Sequence, residues 1–220
     1  MNKDKDFLGT EPVGKLMFRL ALPTITAQLI NMLYNIIDRI YIGHIPGNGA
    51  LALTGVGVCM PLIMIISAFA ALVGGGGAPH ASIAMGKNDL NTAEHILGNC
   101  FFLQILISII LTVILLFGNR TFLLAFGASE NTIEYAVNYM NIYAVGTIFV
   151  QLTLGMNMFI TTQGFAKTGM LSVLIGAVMN IVLDPLFIFT LDMGTAGAAL
   201  ATGLSQFISF CILLWMCNHQ

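Results

Sequence analysis

The sequence predicts an all-α membrane protein whose six transmembrane helices form one bundle, on three observations. Hydrophobic residues make up 57% of the 220-residue chain and charged residues only 8%. A soluble globular domain carries roughly 25% charged residues, so this chain is too poor in charge to cover a water-facing surface. Six stretches are long and apolar enough to cross a bilayer, which takes about 20 residues each. The breakers between them fall in short connections, which set successive helices antiparallel.

The spans run from about Leu16 to Ile42, Ala50 to Ala78, Ala93 to Phe117, Ile133 to Ile160, Gly169 to Leu191 and Ala196 to Met216. The first follows a short charged segment of mixed sign and is too long for a cleaved signal peptide, so it is expected to be retained. The second is reached through Gly43-His44-Ile45-Pro46-Gly47-Asn48-Gly49 and left through Gly86-Lys87-Asn88-Asp89. Gly118-Asn119-Arg120 is expected to end the third, and Gly164-Phe165-Ala166-Lys167 to separate the fourth from the fifth. No linker divides the chain. It is expected to hold an N-terminal segment 1–15, one six-helix domain 16–216, and a C-terminal end 217–220.

Lys and Arg in short loops set orientation. Lys3, Lys5, Lys15, Arg19, Lys87 and Lys167 fall on one side, against Arg39 and Arg120 on the other. Both termini are therefore expected in the cytoplasm, with the protein in the plasma or inner membrane. A net charge of −2 gives no basic field for nucleic acid. Cys59, Cys100, Cys211 and Cys217 form no CxxC pair and lie in or beside apolar runs, so neither a disulfide framework nor a zinc site is expected. Gly74-Gly75-Gly76-Gly77 lacks the Gly-Lys-Ser/Thr of a phosphate loop and suits close helix approach or flexing instead. His44, His80 and His95 have no second ligand at metal-binding spacing. None of the acid–base or nucleophile motifs of soluble enzymes is found, so no enzyme is expected.

An ionisable residue inside a span costs several kcal/mol and is a functional hypothesis by default. Two carboxylates qualify: Asp38, late in the first span, and Asp184, in the fifth. Asn180 and Asp184 are four residues apart and share a helix face. Pro185 removes its own N–H and displaces the carbonyl of Ile181, so a locally broken helix with a free carbonyl is expected. Oxygen groups of this kind suit Na⁺, and broken transporter helices use them. A carboxylate held away from water also suits proton carriage. At 1.5 Å per residue, Asp184 lies roughly 22 Å up its helix and Thr202 about 9 Å down the sixth, which is one level in the bilayer. Asp38, Asn180, Asp184 and Thr202 are thus candidates for one site between the first, fifth and sixth helices. Two blander roles stay open: Asp38 solvated at the interface with Arg39, and Thr202 bonded within its own helix. The 13 Met and 15 Phe suit packing and lipid contact better than an adaptable pocket.

Several blocks resemble the multidrug and toxic compound extrusion (MATE) family in order and spacing. They are Leu22-Pro23 with Leu33-Tyr34-Asn35-Ile36-Ile37-Asp38, Ala50-Leu51-Ala52 with Gly55-Val56-Gly57, and Gln163-Gly164-Phe165-Ala166-Lys167. Asn180 to Phe189 is the most specific, followed by Gly194 to Thr202. The resemblance implies a secondary antiporter that exports amphipathic or cationic drug-like substrates in exchange for Na⁺ or H⁺, with no other cofactor. It implies a fold of twelve helices in two bundles, of which this chain carries the N-terminal one, so a second six-helix bundle is the expected partner. By motif, Asp38, Asn180, Asp184 and Thr202 match the family's cation site, and Tyr143 matches a tyrosine near it. Two other functions stand against this one. A flippase for lipid-linked precursors would need a cationic cavity, and a non-transporting scaffold would need neither carboxylate.

Overall fold

The computed structural model describes residues 11–218, and these form helices with no strand among them. The helices are α1 (Val13–Gly43), α2 (Gly49–Val58), α3 (Met60–Gly86), α4 (Leu90–Ala125), α5 (Ile133–Thr162), α6 (Ala166–Pro185) and α7 (Gly194–Asn218). A π-helical turn, Leu186–Thr190, extends α6. Six spans result, with α2 and α3 sharing the second and the π turn completing the fifth. Most of the expected N-terminal segment, residues 1–10, and the last two residues lie outside the described residues.

Three departures from the sequence expectation shape the architecture. The second span is interrupted at Cys59, where Pro61 opens a new helix near its N-terminus, a place that tolerates the missing N–H. The third does not stop at Gly118-Asn119-Arg120 but continues to Ala125. Asn119 does not break α4 because its side chain is buried and hydrogen-bonds Asn141 of α5. Arg120 reaches Glu134 across the α4–α5 connection at 2.8 Å. The third difference is the π turn, described with the site below.

At the other end of α4, Asp89 caps the helix by accepting the Thr92 backbone N–H at 3.0 Å. That bond holds the Asp89 carboxyl below its ordinary range.

The fourth span, α5, is the centre of the bundle. It packs on α7, α4 and α3 and is the most deeply buried of the six. Glycines let it approach its neighbours. A Cβ at Gly74 would lie 3.0 Å from the Gly155 Cα, and one at Gly77 would meet Phe159 at 2.7 Å. Half of the four-glycine run is therefore a packing surface, while Gly75 and Gly76 face open space or a single Met158 sulfur. On α7, Ala198, Ala199 and Ala201 are completely buried, as the small-residue face of that helix predicts. The peripheral helix is α1, which packs chiefly on α6 and buries only Pro23, Asp38 and Ile42. The rest of its surface is a run of exposed Leu, Ile, Met and Phe.

Candidate cation site and its cavity

The α6 sequence builds half of the site by periodicity alone. One helical turn brings Asn180 under Asp184, and the Asn180 amide nitrogen donates to Asp184 Oδ1 at 3.3 Å. The same nitrogen reaches Thr202 Oγ1 of α7 at 3.4 Å. Asn180, Asp184 and Thr202 thus stand together, with Asp184 fully buried.

The break that the sequence predicts at Pro185 does not occur. The chain stays helical and widens, with Leu191 N–H donating to Leu186 O five residues back. A π turn takes up the register lost at proline, and such turns recur at functional sites. The adjoining α7 fits against it because residue 197 is glycine. A Cβ there would lie 2.8 Å from the Phe187 carbonyl.

Asp38 comes from α1 and is 7% exposed, with Oδ1 lacking any hydrogen-bond partner. It is close enough to Asp184 for the two charges to interact. Arg39 is exposed and lies 3.0 Å from the Met60 sulfur, so the solvated Asp38–Arg39 arrangement is not what the structure shows. Tyr143 is buried, and its ring stacks on Tyr139 at 5.8 Å. Tyr139, one turn earlier, interacts electrostatically with Asp38, and Tyr143 interacts with Tyr34 of α1. The helical repeat of α5 makes both positions eligible, and the sequence holds no feature that separates them.

Four buried side-chain oxygens at this seam have no hydrogen-bond partner: Asp38 Oδ1, Asn180 Oδ1, Asp184 Oδ2 and Gln206 Oε1. Buried polar atoms are ordinarily satisfied, so four together need an explanation. Among the described residues no ion pair reaches either carboxylate. No group of three or more His, Cys, Asp or Glu that could hold a metal ion is found among those residues either. Neutral and anionic oxygens without competing nitrogen or sulfur ligands suit a hard monovalent cation or a proton. Sequence reasoning missed Gln206 because a single glutamine in an apolar helix carries no pattern.

Below these oxygens lies a cavity of about 330 Å³, bordered by α1, α3, α5, α6 and α7. No Lys, Arg, His, Asp or Glu lines it. Its walls are Thr, Ser, Asn and Gln side chains interleaved with Ala, Met and Val.

Residues 23–186 match the MatE family model. The multidrug export protein MepA of Staphylococcus haemolyticus is 27% identical over 197 residues, covering 90% of this chain and 43% of that protein. MepA of Staphylococcus aureus is 25% identical over 211 residues, covering 95% and 46%. A crystal structure of MATE in complex with MaD3S superposes with a TM-score of 0.89 at 27% identity, covering 99% of this chain and 48% of the other. The chain thus spans about half the length of the relatives it matches. With a family match over most of its length and the bundle of a solved MATE structure, this six-helix membrane protein belongs to the MatE family.

Proposed function

We propose that this chain is one bundle of a secondary antiporter that exports amphipathic or cationic drug-like compounds across the cell membrane in exchange for Na⁺ or H⁺. The observation that carries the reading is the group of unpartnered oxygens around Asp38 and Asp184, deep in spanning helices and with no ion pair to either carboxylate among the described residues. Leaving a carboxylate so placed is costly unless an ion or proton repays it. Both termini lie in the cytoplasm in this reading, on the side that carries Lys87 and Lys167.

The mechanism is competition between ion and substrate. A cation or proton at Asp38 and Asp184 ties α1 to α6, the neighbour on which α1 chiefly packs. One state of α1 is favoured when the site is loaded, and substrate leaves as that state forms. Loss of the ion resets the helix. A second six-helix bundle completes the cycle, because alternating access requires one bundle to rock against another. A flippase is not favoured, since the curated relatives are multidrug exporters and the cavity has no cationic residue to meet a phosphate.

Dye efflux from vesicles tests this reading. The chain is reconstituted, alone and together with a second bundle from a MepA relative, under separate Na⁺ and H⁺ gradients. Gradient-driven efflux that disappears in Asp184→Asn is the expected result. Efflux unaffected by that substitution, or by either gradient, overturns it and leaves the scaffold reading.

A further inference from the structure

The two helices that carry the acids pack on each other and run in one direction, as the first and fifth of six spans. Just beyond Asp38, α1 turns two residues toward the bundle. Ile42 is fully buried, and Tyr41 is partly buried against the same hydrophobic cluster. Tyr41 lies three residues after Asp38 and shares its helix face. Apart from Asp38 and Ile42, the buried residue of α1 is Pro23, about four turns earlier. The C-terminal half of α1 is therefore seated by a short stretch, Asp38, Tyr41 and Ile42.

On α6 the matching feature is the π turn. In an unbroken α-helix, a residue five positions after Asp184 would stand about 140° round from it. The bond from Leu191 N–H to Leu186 O puts one residue more into the turn, which brings Phe189 back by up to about 100°. The Phe189 ring meets the Tyr41 ring edge to face, with centroids 6.2 Å apart and planes at 81°. That is a favoured aromatic arrangement. Ile188 beside it is 2% exposed and joins the cluster that takes Ile42. Gly197 lets α7 rest on the Phe187 backbone. The turn is thus braced by α7 and presents Phe189 to α1.

We propose that Tyr41 and Phe189 form an aromatic latch that seats the C-terminal half of α1 on α6 and so holds Asp38 in register with Asp184. Both are positioning residues, acting through the contact of their rings and not through the tyrosine hydroxyl. The polar bonds at the site run from Asn180 to Asp184 and Thr202, within α6 and α7, and Asp38 Oδ1 takes part in none. Contacts beside Asp38 must therefore set its place before a cation arrives, and the latch lies one turn away from it. The inference rests on the reading of the two acids as the coupling site.

The test uses the full chain with Cys59, Cys100, Cys211 and Cys217 replaced by alanine and spin labels at Ile36→Cys and Val182→Cys, exposed positions on α1 and α6. Double electron–electron resonance measures their separation. Met17→Cys with Leu171→Cys, toward the other end of the same helices, is the control pair. Tyr41→Ala and Phe189→Ala should each lengthen or broaden the first distance and leave the second unchanged. The double variant should do no more than either single, since one contact is lost in all three. Tyr41→Phe and Phe189→Tyr should keep the native distance. An unmoved first distance in folded protein, or effects that add, overturn the latch. The link to the acids is read by titrating the first pair with Na⁺ and with pH. Its midpoint should shift by about two- to tenfold in ion concentration in Phe189→Ala, the worth of an aromatic pair, and return in Phe189→Tyr. A midpoint that stays put while the distance changes overturns the positioning role. A chain with native rings that answers to neither ion, yet loosens when a ring is removed, sinks the coupling site and leaves the latch.

Discussion

Helices α1, α6 and α7 meet through polar side chains, whereas α3, α4 and α5 meet through glycines. In the first seam, Asn180, Asp184 and Thr202 come together and four oxygens stay unpartnered. In the second, Gly74 and Gly155 bring two backbones close, and Gln104 of α4 lies against Gly155. Polar groups occur there as well, and several close on neighbours, although both side-chain polar atoms of Gln104 and Gln151 Oε1 have no partner. Thr112 donates to Ala144 O, Gln151 to Ile66 O, and Asn119 pairs with Asn141. A membrane bundle gains no hydrophobic drive between helices, so close packing must hold it. The glycine seam is where this bundle gains stability, and the polar seam is where it spends some.

Substitutions separate the two. The largest stability loss is expected at Gly155, where any side chain meets the buried Gln104 carboxamide. Gly155→Ala should cost about 1–3 kcal/mol by overpacking, and Gly155→Leu should prevent assembly. Thermal unfolding in detergent measures the first, and size-exclusion behaviour the second. Gly197→Ala should fall in the lower part of the same ~1–3 kcal/mol range. Its new methyl meets the Phe187 backbone in the π turn, and the cation response should weaken with it because α7 carries Thr202.

Asp184→Asn should not lower the melting temperature, since it removes an unpaired buried charge. It should abolish any shift of that temperature with Na⁺. A clear destabilisation would make the polar seam a structural device and erase the contrast.

Smaller effects lie outside both seams. The bond from Thr92 lowers the Asp89 carboxyl, so its capping contribution is present above the unfolded-state value. It is lost as pH falls through the lower folded-state value. The melting difference between the parent chain and Asp89→Ala should therefore be constant near neutrality and shrink in acid. Arg120→Ala breaks an exposed pair with Glu134 and should cost no more than about 1 kcal/mol.

The bundle was legible in the sequence because hydropathy and short connections suffice to place spans in a bilayer. Helical rise alone sets Thr202 near the level of Asp184, and the structure places it beside Asn180, one turn away. What escaped had specific causes. Gly118 and Asn119 look like a loop, but within lipid an asparagine that finds a partner on the next helix leaves its own helix intact. Proline 185 signals a break, yet the chain can absorb the lost bond by widening for one turn. Gln206 acquires meaning only beside the other unpartnered oxygens.

The peripheral position of α1 also bears on how the protein is made. Among the described helices α1 precedes the others in the chain, and it packs far more on α6 than on α2. Synthesis must therefore pass through more than a hundred further residues before Asp38 meets the segment that carries Asn180 and Asp184. Throughout that interval a carboxylate stands in the bilayer or the insertion machinery without its companions, a costly placement. The site that defines the finished bundle is thus closed late, when α1 and α6 meet.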